Sequence, residues 1–184
     1  VALTKLRQFC ALPSLLDDHK SKIPIDKSSK LTRLTDLIDE ITLNCEKAII
    51  FTSYTRMADI IAAIVRQRLG TFSDVLDGRT PIDDSQTMID RFTEEKGPGA
   101  LVLNPKAGGA GLNITAATHV IHYNPEWNPA LEDQASARAH RRGQTRPVMI
   151  RRLICKGTVE EIVEERVLRK RLLSDAAVVG VSGA

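Results

Sequence analysis

Hydrophobic positions along this chain alternate between short continuous runs and longer stretches with helical spacing. The short runs predict five buried strands: KAIIFTSY, SDVLDG, GALVLN, THVIHYN and VMIRRLIC. The helical spacing covers four stretches, at 29–41, 55–69, 83–95 and 158–173. Because strands and helices alternate, the pattern indicates right-handed crossovers, a parallel sheet and helices on both of its faces.

The chain has 184 residues, which is enough for one α/β domain with a substantial core. It begins at Val1, and we interpret it as a fragment of a longer protein or a processed product. Prolines, serines and other polar residues that interrupt the periodic stretches predict three regions. These are an N-terminal segment and linker over 1–29, a lobe over 30–173 whose first helix has Ser29 as N-cap, and a tail over 174–184.

Composition and charge narrow the class of protein. Apolar residues make up 42% of the chain and aromatic residues 4%, a profile that suits an aliphatic parallel sheet. The net charge is only +3, but residues 134–171 hold eleven Lys or Arg against four Glu, a local net of +7. This asymmetry is consistent with a polyanion partner or with a solvated basic helix, and charge alone leaves both open.

Three cysteines, Cys10, Cys45 and Cys155, lie far apart without the spacing of metal ligands. We interpret them as buried free thiols in a reducing compartment. No apolar run approaches the ~18 residues of a membrane span, and no signal peptide opens the chain. These features predict an intracellular lobe with no metal site and no membrane partner, and we expect this fragment to be monomeric.

A glycine-rich segment, NPKAGGAGLN, follows the third predicted strand. Gly108, Gly109 and Gly111 lie where this strand ends and where we expect a helix to begin. Glycines there allow backbone N–H groups to approach an anion, although a tight turn with positive φ also explains them. No G-x-x-x-x-G-K-[ST] segment occurs, so these 184 residues contain no P-loop.

Four arginines lie within the segment QASARAHRRGQTRP. If this segment is helical, Gln134, Arg138 and Arg141 form one stripe along a single face. Two adjacent guanidiniums repel each other unless an anion lies between them, and arginine suits such an anion because it is always charged. The stripe therefore indicates an arginine pair that stabilises a phosphoryl group during transfer.

The chain's only tryptophan, Trp127, lies in the loop YNPEWNP after the fourth predicted strand. Two Asn-Pro steps favour an extended backbone in this loop. Trp127 is expected either to stack against nucleic acid or to pack the loop onto the domain, and the residues alone leave both open.

Together these segments resemble the second RecA-like lobe of SWI/SNF-type translocases in helicase superfamily two. The resemblance extends in chain order over roughly residues 1–173, and its full set of motifs is specific. It rests on KAIIFTSYTRMADII, LDGRT, LVLNPKAGGAGLNIT, VIHYNPEWNPALEDQA, QASARAHRRGQTRP and GTVEEIVEERVLRK. These segments are similar to the family's motif four, its L-D-G-S-T, its motif five, its W-N-P segment, its motif six and its G-T-x-E-E helix.

The resemblance implies a motor that hydrolyses ATP with Mg²⁺ and moves along double-stranded DNA. The family's first lobe holds the nucleotide and the metal, so this chain alone is expected to be inactive. Arg138 and Arg141 would act as arginine fingers, with Gln134, Gly109 and Gly111 on the nucleotide side. The implied DNA contacts are Thr52, Ser53, Arg79, Thr80, Lys106 and Trp127. The protein would work in the cytoplasm of a prokaryote or the nucleus of a eukaryote.

The chain departs from the family pattern in its motif-five segment. The family usually has Ser-Thr where this chain has Asn104 and Pro105, so one hydroxyl and one backbone N–H are absent there. This weakens the expectation of a DNA contact at that position. Two alternatives stay open: a superfamily-two lobe that acts on RNA, and a non-catalytic module that binds nucleic acid.

Overall fold

A computed structural model describes residues 2–16, 28–70, 72–107, 112–140 and 144–181. The strands are β1 (Lys47–Phe51), β2 (Ser73–Leu76), β3 (Gly99–Leu103), β4 (His119–His122) and β5 (Met149–Arg152). The helices are α1 (Ala2–Ala11), α2 (Ser29–Leu43), α3 (Thr55–Leu69), α4 (Ile82–Glu94), α5 (Pro129–Ser136) and α6 (Val159–Val181), with a 3₁₀ turn at Pro13–Leu16. The strands form one parallel sheet in the order β2–β3–β1–β4–β5, which confirms the predicted fold class.

Each central strand sends alternate side chains into two hydrophobic layers. In β1, Ala48 and Ile50 pack with α2 and α3 on one face of the sheet. Ile49 and Phe51 pack with α4 and α5 on the other face. All five residues of β1 are buried, as expected for a parallel strand covered by helices on both faces.

The ends of α3 and α4 agree with the sequence to within one residue, a normal uncertainty for such boundaries, whereas α2 continues to Leu43, past its predicted end at residue 41. The N-cap of α2 is Ser28, whose side chain accepts from the backbone N–H of Leu31, so the prediction of Ser29 is wrong by one residue. Helix α3 spans the predicted residues 55–69. It ends at Gly70, whose φ of 59° is the left-handed conformation that glycine favours.

The three cysteines are free, but they are not all buried as the sequence predicts. Cys45 is exposed in the turn after α2, where its φ is 53°. Cys10 and Cys155 are partly buried. The error has a simple cause, because a cysteine outside regular periodicity carries no pattern from which its burial can be inferred.

Both terminal helices pack onto the lobe. Ala11 at the end of α1 is buried in the same layer as α2 and α3, and the Tyr123 hydroxyl donates to its carbonyl at 2.8 Å. Lys30 and Glu160, at the starts of α2 and α6, form a buried ion pair at 2.6 Å. Helix α6 continues to Val181, beyond the predicted end of the lobe. Across the described ranges, no helix is both long and apolar enough to cross a membrane.

Candidate functional site

The loops that carry the predicted site residues leave the carboxyl ends of neighbouring parallel strands. After β1 the chain continues to β2 and β3 on one side of it, whereas after β4 it continues to β5 on the other side. The sheet therefore has a topological switch point between β1 and β4. In open α/β sheets, ligands bind in the crevice at such a point.

Buried polar side chains join the loops after β1 and β4. The Thr52 hydroxyl donates to Oδ1 of Asn124 at 2.6 Å, and the Thr52 N–H donates to the Leu103 carbonyl. Beside them, the Ser53 hydroxyl donates to the Glu126 carboxylate. Thr52 is only 1% exposed. The structure therefore does not support Thr52 as a phosphate contact, because both of its donors bind inside the lobe.

The loop after β2 is built around Asp77, whose side chain is buried. Its carboxylate accepts from the Arg79 N–H at 2.9 Å, and its own N–H donates to the Thr80 hydroxyl, which donates onward to the Val75 carbonyl. The Arg79 guanidinium lies 2.7 Å from both Asp77 and Asp59. Hydrogen bonding by Arg79 holds the pKa of Asp77 below its usual range. Arg79 is exposed at this edge, whereas the Thr80 hydroxyl is engaged in the turn.

Asn104 organises the loop after β3. Its Oδ1 accepts from the Lys106 N–H at 2.9 Å, and its backbone carbonyl accepts from the Ala107 N–H. Its Nδ2 donates to the Ser53 carbonyl at 3.5 Å and so connects this loop to the one after β1. Asn104 therefore sets the geometry of this loop, and the side chain of Lys106 is exposed beside it.

Gly109, Gly111 and Arg141 lie outside the described residues. The described chain beyond the glycines, residues 112–118, forms turns and not the predicted helix. Ile114 explains the difference, because its N–H donates at 2.9 Å to the Arg138 carbonyl from a distant part of the chain. A tertiary hydrogen bond here takes the place of a helical one.

The predicted helical stripe is wrong between Gln134 and Arg138. Helix α5 ends at Ser136, and the chain then forms a turn over residues 137–139. Gln134 is exposed on the helix, whereas Arg138 is 5% exposed in the turn. The two side chains therefore have different surroundings, because α5 ends between them and the Arg138 carbonyl accepts from Ile114 instead of continuing the helix.

The side chains of Arg138, Phe51 and His122 pack together in a group that we call the stacked column. Arg138 Nη2 donates to the Pro105 carbonyl at 3.2 Å, and the Arg138 guanidinium lies 5.9 Å from the centre of the Phe51 ring. On Phe51 stacks His122, with ring centres 5.2 Å apart, and His122 Nε2 lies 2.8 Å from the Ser136 hydroxyl. Burial lowers the pKa of His122 to about 4, so its ring is neutral near pH 7. The column connects β1, β4, α5 and the loop after β3.

Trp127 packs its loop onto the two terminal helices. The guanidiniums of Arg7 on α1 and Arg166 on α6 each lie 5.7 Å from the centre of its ring. The Lys170 ammonium donates to the Trp127 carbonyl at 3.5 Å. These contacts agree with the expectation that Trp127 packs its loop onto the domain, although the residue is only partly buried.

Glu132, which no sequence pattern singles out, holds the loop after β4. This carboxylate is 2% exposed and accepts from the Glu126 N–H at 2.9 Å, while Arg152 and Arg171 lie 3.5 and 3.9 Å away. Burial raises the pKa of Glu132. These groups line a cleft of about 670 Å³ between α5 and α6. A glutamate in the first turn of a helix suggests only a dipole interaction, and the sequence has no signal for its burial.

A parallel five-stranded sheet with helices on both faces and polar loops at its carboxyl edge is the architecture of a RecA-like lobe. Solved structures agree with this class. The chain is similar to the Sulfolobus solfataricus SWI2/SNF2 ATPase core in complex with dsDNA, with a TM-score of 0.75 and 33% identity over 93% of this chain and 35% of that chain. It is also similar to the C-terminal part of the Fun30 ATPase domain, with a TM-score of 0.73 and 34% identity over 89% of this chain and 53% of that one.

Residues 29–143 match the helicase conserved C-terminal domain, and the chain belongs to this family as a SWI/SNF-type lobe. YwqA of Bacillus subtilis is 37% identical over 174 residues, which are 94% of this chain and 19% of YwqA. The chromatin-remodeling ATPase INO80 of Aspergillus terreus is 35% identical over 156 residues, which are 85% of this chain and 9% of INO80. The chain thus spans about a fifth or less of the length of these relatives.

Proposed function

We propose that this chain is the second motor lobe of an ATP-dependent translocase or remodeller that moves along double-stranded DNA. The position of Arg138 carries the proposal. This motif-six arginine is held against the loop after β3, at the crevice where α/β folds bind ligands. Two similarities support it, because INO80 is named as an ATPase and the Sulfolobus core is a complex with dsDNA.

ATP and Mg²⁺ are held mainly by another lobe of the full-length protein in this proposal, because these 184 residues contain no P-loop. Arg138 and Arg141 supply positive charge where negative charge develops on the phosphoryl group. Pro105 and Phe51 limit the freedom of the Arg138 side chain, which is the kind of preorganisation that catalysis by charge requires. The nucleotide side of the crevice is completed by Gln134, Gly109 and Gly111.

DNA lies along the loops after β2 and β3 in this proposal. Arg79 and Lys106 are exposed there and provide positive charge for phosphates. Ser53, Thr80 and Trp127 add further contacts from the loops after β1, β2 and β4. Contacts of this kind position a protein on a duplex without reading its sequence, and they weaken as salt rises.

The proposal is tested by measuring ATP hydrolysis by the full-length protein with duplex DNA, with RNA and without nucleic acid. We expect duplex DNA to give the greatest stimulation, and we expect that stimulation to fall as salt rises. Stimulation mainly by RNA would assign the lobe to an RNA-acting enzyme. Nucleic-acid binding without hydrolysis under any condition would favour a non-catalytic binding module.

Lys106→Ala provides a matched test of the DNA surface. It removes one exposed charge and should weaken binding to duplexes of different sequence by similar factors, with a salt slope lower by about one. An effect confined to one sequence would contradict a backbone contact.

A further inference from the structure

The exposed arginine of the loop after β2 is already held by two carboxylates. Arg79 Nε donates to both carboxylate oxygens of Asp77, at 3.0 and 3.1 Å. Its Nη1 and Nη2 donate to Asp59 on α3, at 3.1 and 2.7 Å, and Nη2 also reaches Asp77 at 2.7 Å. The two carboxylates and the guanidinium together carry one net negative charge at a surface that we propose to meet a polyanion.

The two carboxylates play different structural parts. The side chain of Asp77 is 4% exposed and also accepts from the Arg79 backbone N–H, so it belongs to the turn itself. The side chain of Asp59 is 52% exposed and comes from a separate helix. Among the described contacts, Asp59 approaches this turn only through the guanidinium. Asp59 is therefore the replaceable partner of Arg79, and Asp77 is the fixed one.

Carboxylate and phosphate oxygens compete for the same face of an arginine. Both groups accept two parallel hydrogen bonds from the guanidinium fork, so a DNA phosphate fits the place that Asp59 occupies. An exposed ion pair contributes only about 0–1 kcal/mol, which a phosphate contact can replace.

We propose that Asp59 is an internal competitor for the DNA phosphate at Arg79, and that it is released from the guanidinium when DNA binds. This inference rests on the proposed function and adds a residue that sets the strength of the DNA contact. Asp59 keeps the arginine in a binding geometry when DNA is absent. It also limits the affinity of the lobe for DNA, which suits a protein that must release one phosphate before it takes the next.

The test measures binding of a short labelled DNA duplex to the 184-residue chain and to its variants at low salt. Asp59→Asn is expected to lower the Kd about three- to fivefold, because it removes the competitor and one negative charge. Asp84→Asn is the matched control, since Asp84 is an exposed carboxylate in the first turn of α4, close to the same loop in the chain. It should change the Kd less than about twofold, which is the general effect of one surface charge.

The second arm repeats Asp59→Asn in an Arg79→Ala background. If the competition acts through the guanidinium, Asp59→Asn lowers the Kd in this background by no more than the Asp84→Asn control does. The inference would be overturned if Asp59→Asn lowered the Kd by the same factor in the absence of Arg79. It would also be overturned if the Kd of Asp59→Asn were no lower than that of the control. A lower melting temperature with an unchanged Kd would also overturn it, and would make the pair a structural link. If neither the wild type nor any variant binds duplex DNA, the proposed function itself fails.

Discussion

Two of the described arginines are expected to bind phosphate, Arg79 in the loop after β2 and Arg138 in the turn after α5. Their surroundings differ in exposure and in the kind of partner. Arg79 is 54% exposed between two carboxylates. Arg138 is 5% exposed, under the Pro105 carbonyl and against the Phe51 ring. One side chain has charged partners at the surface, and the other has a carbonyl and an aromatic face in the interior.

The difference suits two different tasks. An exposed ion pair costs little to exchange, so Arg79 is suited to a contact that forms and breaks as a polymer moves past. A buried arginine keeps its position because the groups around it are packed, so Arg138 is suited to a geometry that must recur in every catalytic cycle. We therefore propose reversible binding for the region of Arg79 and fixed chemistry for the region of Arg138.

The largest expected effect is on catalysis. In the full-length protein, Arg138→Ala or Arg141→Ala should lower kcat for ATP hydrolysis by about 10³ or more, as the loss of an arginine finger does, while nucleotide binding changes less. Asp84→Asn, which changes an exposed carboxylate in the first turn of α4, is the control and should leave kcat nearly unchanged. An unchanged kcat in both motif-six variants would move these arginines to a DNA-binding or structural role.

The next prediction concerns folding stability and tests how much the packing of the stacked column stabilises the lobe. Phe51→Ala removes a fully buried ring between Arg138 and His122, and it should lower the free energy of unfolding of this chain by about 3–5 kcal/mol. Denaturant unfolding measures this loss. A loss below about 1 kcal/mol would show that the column does not support the site.

The column also predicts a pH dependence. The pKa of His122 is lowered to about 4 in the folded state, so at pH values below its ordinary 6.5 the unfolded chain binds a proton that the folded chain does not. This contribution to stability is present above pH 6.5 and is lost as the pH falls towards 4, by up to about 3 kcal/mol. His122→Asn should flatten the stability curve over this range. Parallel curves for the two proteins would contradict the assignment.

The smallest expected effect concerns the exposed ion pair between Arg79 and Asp59. Asp59→Asn should lower the free energy of unfolding by less than about 1 kcal/mol, and the loss should shrink as salt screens the charges. Thermal unfolding of the variant and the wild type at low and high salt measures this. A loss as large as that of Phe51→Ala would show that the two regions do not differ in the way described.

Periodicity was sufficient to predict the elements that pack on both sides of the sheet. The limits of α3 at residues 55–69 agree with its apolar spacing, and Gly70 marks its end. The two-layer core follows from alternation within the strands, because a strand directs successive side chains to opposite faces.

The limits of the site elements could not be predicted in the same way. Residues 134–141 are compatible with a helix, but α5 ends at Ser136 where the backbone of the next turn bonds to Ile114. The partners that define the site, such as Asp59 for Arg79 and Glu132 for Glu126, come from separate elements or from local spacings that carry no burial signal. A single sequence indicates which residues suit phosphate, but not which neighbours hold them.

Our central claim is that this lobe supplies charge to a nucleotide held elsewhere. It is tested by measuring ATP hydrolysis by the purified 184-residue chain with saturating duplex DNA. The full-length protein is measured under the same conditions. We expect no turnover above background for the chain and DNA-stimulated turnover for the full-length protein. Steady hydrolysis by the chain alone would show that the lobe does not depend on a nucleotide held elsewhere.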